Sequence, residues 1–214
     1  DLIRDDRIPG ELNKRLRLPA FEPGIVLEGG AIEVNGAGTV LTTEQCLLNR
    51  NRNPHLRRAE IEDYLREYLN VENVLWLGEG IAGDDTDGHI DDIARFVSED
   101  TVLCAHEDDS AEENHNILKE GFERLIGFGL NVVKLPMPGY IGDRHARLPA
   151  SYANFYIGNS AVVVPIFDHA NDRRALDIIQ ECFPSRRVVG VRANAMVHGL
   201  GTIHCCSQQE PRIE

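Results

Sequence analysis

The chain has 214 residues, 42% of them hydrophobic and 27% charged, the balance of a folded globular protein and not of a disordered one. Thirty-five acidic against 22 basic side chains leave a formal charge of −13, which repels phosphate backbones, argues against nucleic acid as a partner and favours a cationic small molecule. No run of about 18 apolar residues occurs, so no membrane span is expected.

The opening Asp1-Leu2-Ile3-Arg4-Asp5-Asp6 does not read as a signal peptide, and the missing initiator Met suggests that the chain does not begin at a natural start. Residues 31–35 and 38–42 are β-prone runs around Asn35-Gly36, a hairpin signal. Arg50-Asn51-Arg52-Asn53-Pro54 reads as a polar loop. A helix is expected over about 59–69, where Ile61, Tyr64, Leu65, Tyr68 and Leu69 recur at i, i+3 and i+4, followed by a strand at 74–77. The same order returns with strands at 93–97 and 101–105, a helix at 111–127 and a strand at 130–134. It returns again with strands at 153–157 and 161–164, a helix at 172–182 and a strand at 187–191. Residues 202–206 read as the start of a fourth repeat. The chain is therefore read as α/β, a single partial domain over 1–214 with ββαβ units at about 28–78, 89–135 and 151–192 and a final strand and loop at 199–214. Such repeats must stack or close on neighbours to cover their apolar faces. An ordinary layered α/β domain with accidental spacing is the alternative.

The five cysteines, Cys46, Cys104, Cys182, Cys205 and Cys206, are odd in number and lack Cys-x-x-Cys spacing. That argues for a reducing, cytoplasmic setting and against a structural zinc site. Chemically rich residues fall just before each unit: Glu28-Gly29-Gly30, then Asp84 to Asp91, then Ser151-Tyr152-Ala153-Asn154, then Gly199 to Cys206. On a strand, His89 and Asp91 would share a face, and a His beside a carboxylate is held protonated as an acid. A solvated acidic loop is the plain alternative, and Asp85-x-Asp87-x-His89-x-Asp91 superficially resembles a cation loop, without the glycine and final Glu of an EF-hand. Cys205 follows a Gly-rich turn that suits a nucleophilic thiol, although a buried structural cysteine would fit too. On a strand Cys206 would point the other way. Cys46, Cys104 and Cys182 are expected in the core. Trp76, Asn154 and the histidines at 55, 106, 115, 145, 169, 198 and 204 carry no chemistry from spacing alone.

Together, Glu28-Gly29-Gly30, Asp85-Thr86-Asp87-Gly88-His89-Ile90-Asp91, Pro149-Ala150-Ser151-Tyr152-Ala153-Asn154-Phe155 and Gly201-Thr202-Ile203-His204-Cys205, with Ser207-Gln208-Gln209 after them, resemble the agmatine deiminase family of the guanidine-modifying superfamily. The resemblance runs from about residue 20 to the end. It implies a pentein α/β propeller with pseudo-fivefold symmetry, of which about three units are in this chain. It implies Cys205 as nucleophile, His89 as acid then base, and Asp91 as guanidinium ligand. Glu28, Asp85 and Gly201 would line the substrate pocket, with Asp85 facing the distal ammonium. Agmatine would be the substrate, and no cofactor or metal would be needed. The family's Trp-x-Arg-Asp-x-Gly-Pro motif, whose Asp is a second guanidinium ligand, has no match; Arg4-Asp5 is followed by Asp6-Arg7-Ile8. The chain is thus expected to be the C-terminal three-fifths, to associate with a missing N-terminal segment or second chain, to be a homo-oligomer when whole, and to have low activity alone. A peptidyl- or free-arginine deiminase, or an inactive truncated propeller serving as an interaction module, are the alternatives.

Overall fold

The computed structural model describes residues 7–210. Residues Arg4 to Asp6, where the sequence departs from the family motif, lie outside the described residues. The fold is α/β with three small sheets of three strands each. The first holds β1 (Glu33–Val34), β2 (Thr39–Thr43) and β3 (Asn73–Leu77), with helices α2 (Glu44–Leu47) and α3 (Arg58–Leu69) between the last two. The second holds β4 (Ala94–Phe96), β5 (Thr101–His106) and β6 (Asn131–Pro136), with α4 (His115–Gly127). The third holds β7 (Tyr156–Ile157), β8 (Ala161–Ile166) and β9 (Arg187–Arg192), with α5 (Asp172–Cys182). In each, the middle strand pairs antiparallel with the one before it and parallel with the one after. A tight turn makes the first pairing; only a crossover can make the second, and the helix supplies it.

Helix spacing decides what is buried. Ile61 and Leu65 of α3, Leu118, Gly121 and Leu125 of α4, and Ala175 and Ile179 of α5 fall on one face of their helices and are buried. Three cores result, and they interlock. The core under α4 takes Leu41 and Leu77 from the first sheet, and the core under α5 takes Leu103 and Leu135 from the second. A buried ion pair crosses the same junctions. Arg95 of β4 donates from Nε to Glu33 Oε2 of β1 at 2.8 Å and from Nη1 to the carbonyls of Ala153 (3.0 Å) and Phe155 (2.5 Å) before and at the approach to β7.

That pairing explains the first of several departures from the sequence expectation. The strand expected at 153–157 shrinks to Tyr156–Ile157 because the carbonyls of Ala153 and Phe155 serve Arg95. The strand expected at 31–35 is only Glu33–Val34, preceded by a 3₁₀ turn over Gly29–Ala31. The helix expected from 111 starts at His115, since Asp109 holds Ala111 in a turn and Asn114 Oδ1 accepts from Ala82 N at 2.8 Å. Helix α1 (Ile8–Leu16) was not foreseen; it buries nothing, and Ile8, Leu12 and Leu16 form an exposed stripe. No helix among the described residues is long and apolar enough to cross a membrane.

Candidate active site

A cavity of about 760 Å³ opens where the segments before β1, β4 and β7 meet the stretch after β9. Glu28, Asp85, His89, Gly201 and Cys205 line it, and Asp91 lies fully buried beside them. All six residues singled out in the sequence are therefore in one place.

The route by which they get there differs from the expectation in two respects. His89 and Asp91 are not on a strand. Residues 90–92 form a 3₁₀ turn, and the loop before it is folded by Asp84, whose carboxylate accepts from Thr86 N (2.8 Å), Gly88 N (3.1 Å) and His89 N (2.9 Å). The two side chains nonetheless face Gly30 together. A Cβ at Gly30 would stand 2.6 Å from His89 Nδ1 and 2.9 Å from Asp91 Oδ2, so only glycine fits there.

Residues 202–206 are likewise not a strand but a turn. Asn154, fully buried, draws it together. Its Oδ1 accepts from Thr202 Oγ1 (2.7 Å), His204 N (3.0 Å) and Cys205 N (3.3 Å), while its Nδ2 donates to Cys205 Sγ at 3.0 Å. The backbone groups a strand would need are spent on this side chain. Gly201 permits the bend, since a Cβ there would stand 2.9 Å from Cys205 Cβ. Because there is no strand, Cys206 does not point to an opposite face; both cysteines are exposed and both line the cavity.

Cys205 Sγ lies 3.6 Å from Asp91 Oδ2, and His204 Nδ1 lies 2.7 Å from the same oxygen. Asp91 Oδ1 is buried without a partner, as is His89 Nε2, which sits 3.7 Å from Glu28 Oε1, in ion-pair range but beyond a hydrogen bond. Spacing gave no hint of Asn154, His204 or Asp92. Asn154 and His204 lay in two of the four rich segments and in the family motifs, which was their only signal; Asp92 had none beyond adjacency to Asp91.

Charge in the site is set by crowding of carboxylates. Burial, then the neighbouring Asp91 and Asp84, hold the Asp92 carboxyl well above the usual range. Although Cys205 as a residue is exposed, its sulfur is packed against Asn154 and Asp91, and that local burial, then Asp92 and Asp91, push the thiol well up, so it rests protonated. Glu28 goes the other way. Burial would raise it, but His89 and Arg52 together outweigh burial and hold it at about 2, ionised. Cys46 is pushed up to about 12 by burial, as a core thiol should be.

The cation-loop alternative is not assembled: Asp87 is bonded to Asn51 and Arg52, Asp85 is exposed, and Asp91 is paired with His204. Two other groups bring donor atoms within 4.8 Å of one another, Glu28–Cys46–His89 and Asp91–Asp92–Cys205. Arg52 already supplies the positive charge at the first. The second, carboxylates beside a thiol, suits the N–H groups of an organic cation.

Residues 1–211 match the family described as Porphyromonas-type peptidyl-arginine deiminase. A Legionella pneumophila protein named "Putative agmatine deiminase" is 39% identical over 221 residues, covering 99% of this chain and 63% of its own length. Among solved structures, agmatine deiminase of Enterococcus faecalis superposes with a TM-score of 0.91 at 38% identity, covering 97% of this chain and 64% of that one. A cysteine-to-serine variant of C. jejuni agmatine deiminase with substrate bound superposes with a TM-score of 0.91 at 33% identity, covering 95% and 62%. The chain thus spans less than two thirds of the length of these relatives. With the match running over almost every residue, the chain belongs to the Porphyromonas-type peptidyl-arginine deiminase family.

Proposed function

We propose that this chain carries the cysteine half of an agmatine deiminase site, releasing ammonia from agmatine to leave N-carbamoylputrescine. The observation that carries the reading is the grouping of Cys205, Asp91, His89 and Glu28 around one cavity, a thiol among carboxylates that suits a planar cation.

Asp91 and Glu28 accept the guanidinium N–H groups, filling the bond that Asp91 Oδ1 lacks. The arriving positive charge offsets the carboxyls that hold Cys205 protonated, so substrate binding itself favours the thiolate. Cys205 gives its proton to His89 and the sulfur attacks the guanidinium carbon. His89 gives a proton to one nitrogen, that C–N bond breaks, and ammonia leaves an S-alkylthiouronium. His89, now neutral, takes a proton from water as the oxygen adds to the same carbon. The C–S bond then breaks, its electron pair returns to sulfur, and the carbamoyl product is free. Asp85 on the cavity wall receives the distal ammonium. The chemistry requires no cofactor.

A free- or peptidyl-arginine deiminase needs a group to meet a carboxylate or a peptide. Arg95 on the cavity wall is taken by Glu33, and the two arginines of the 144–147 loop are poorly placed for it. Arg147 is bonded to Glu112 and the Gly139 carbonyl, Arg144 is exposed, and neither lines the cavity. Side-by-side turnover of agmatine, arginine and an arginyl peptide tests the reading; arginine faster than agmatine overturns it. A monodisperse, folded chain whose Cys205 ignores a haloacetamidine would favour the interaction-module alternative.

The three sheets are read as three blades of a pseudo-fivefold propeller, supported by the chain covering some three fifths of its relatives' lengths. On that reading the remaining blades come from a further segment or a partner chain, and the whole enzyme is a homo-oligomer. Five free cysteines support a reducing, cytoplasmic setting.

A further inference from the structure

The loop Asn51-Arg52-Asn53, read from the sequence as polar surface, is a bracket gripping both walls of the site. Asn53 closes on the backbone of Val26 from both sides, accepting from its N–H at 2.9 Å and donating to its carbonyl at 2.8 Å, and so fixes the segment leading to Glu28. Arg52 has a side chain only 6% exposed. Its Nε donates to Glu28 Oε1 (2.7 Å) and Oε2 (3.0 Å), its Nη1 to Asp87 Oδ2 (3.0 Å) and its Nη2 to the Thr86 carbonyl (2.6 Å). Asn51 Nδ2 reaches Asp87 Oδ2 as well, at 2.7 Å. Asp87 has a φ of 60°, a conformation that costs a non-glycine residue free energy and persists only where its surroundings hold it. Two residues further on is His89.

We infer that Arg52 is a positioning residue: its guanidinium fork sets the distance between Glu28 and His89 and pins the loop that carries His89. Without it, Glu28 would be left with His89 as its one cationic partner, and the 3.7 Å gap between them would have nothing to hold it open. The groups facing Glu28 are Arg52 and His89, with Asp87, and Cys46 beneath them. Of these only Arg52 is a permanent cation. Arginine is required because three acceptors lie in three directions, which one ammonium on a flexible stem cannot meet with the same geometry.

The inference rests on the deiminase reading for its kinetic consequence, and its test separates the two. Arg52→Gln and Arg52→Lys are compared with the parent chain. With agmatine, Arg52→Gln is expected to lower kcat about 10- to 100-fold with a smaller change in KM, the scale of an ångström's misplacement of catalytic groups. Arg52→Lys should recover part of the loss. Independently of turnover, the ¹³C resonance of the Glu28 carboxyl is followed with pH. It should titrate at about 2 in the parent chain, move up toward the ordinary Glu value of about 4.3 in Arg52→Gln, and stay low in Arg52→Lys. A Glu28 midpoint still at about 2 in Arg52→Gln would show that the guanidinium has no hold on that carboxyl, which overturns the inference. So does an unchanged kcat in folded Arg52→Gln. Once the remaining blades are supplied, an enzyme that ignores agmatine while the titration behaves as described sinks the deiminase reading and leaves the role of Arg52 standing.

Discussion

Asn154 and Cys205 come from segments 51 residues apart, yet the amide of one lies 3.0 Å from the sulfur of the other. The same side chain accepts three hydrogen bonds from the turn that bears the sulfur. Asn154→Ala should therefore both loosen the turn and free the thiol. Leaving several buried donors unmatched costs about 1–3 kcal/mol each, so a loss of about 2–4 kcal/mol is expected in urea denaturation. Alkylation of Cys205 should become less sensitive to substrate, because the sulfur no longer sits at a fixed place. Wild-type stability in this variant would contradict the hydrogen-bond pattern.

Asp92 gives the clearest pH dependence. Its carboxyl is held well above the usual range, so the folded chain binds a proton that the unfolded chain releases near pH 3.9. The stability this provides is complete below that value and fades as pH rises through the folded pKa. Asp92→Asn keeps the shape and removes the titration, so its stability should fall less than wild type's between pH 4 and alkaline pH. The same change removes a negative neighbour from Cys205, and the pH midpoint of iodoacetamide labelling should shift downward. An unmoved midpoint would show that Asp92 does not act on the sulfur.

The Glu33–Arg95 pair should behave as a structural fastener. Both side chains are buried, and Arg95 joins strands of two sheets to the approach of the third. Removing one partner strands the other, so Arg95→Met or Glu33→Gln should each cost about 3–5 kcal/mol. The double variant should cost less than the sum, a coupling that a thermodynamic cycle measures directly.

Gly30→Ala places a methyl group where His89 Nδ1 and Asp91 Oδ2 already stand. The backbone there needs no glycine for its torsion, only for space, so folding should be little affected while the two side chains are pushed apart. A fall in kcat/KM of about 100-fold is expected from such a displacement. Full activity in Gly30→Ala would mean that the two groups have room to move.

How far the sequence could be read depended on the range of the interactions. The helix at 59–69 was legible because its apolar spacing is local, and α3 begins one residue earlier, at Arg58. That the rich segments would converge on one place was legible too, because each unit sets its unusual residues just before its first strand. What the sequence concealed were conformations imposed from far away. The turn at 203–206 depends on Asn154, the short β7 on Arg95, and the bracket around Glu28 on Arg52. In each case one buried polar side chain takes hydrogen bonds that a strand or solvent would otherwise receive. Period and propensity at 202–206 favour a strand, and nothing within that segment records the competing partner.

The three interlocked cores have a consequence for how the molecule fails. Each is built from its own sheet and crossover helix, the second and third with a few side chains borrowed from the preceding unit, whereas the cavity is made mostly of the loops between them. Heat or denaturant that merely lets neighbouring units slip would leave every helix and strand intact and still scatter Cys205 from Asp91 and Glu28. The geometry of the cavity is thus a property of the seams, and it should be lost while circular dichroism still reports a native protein.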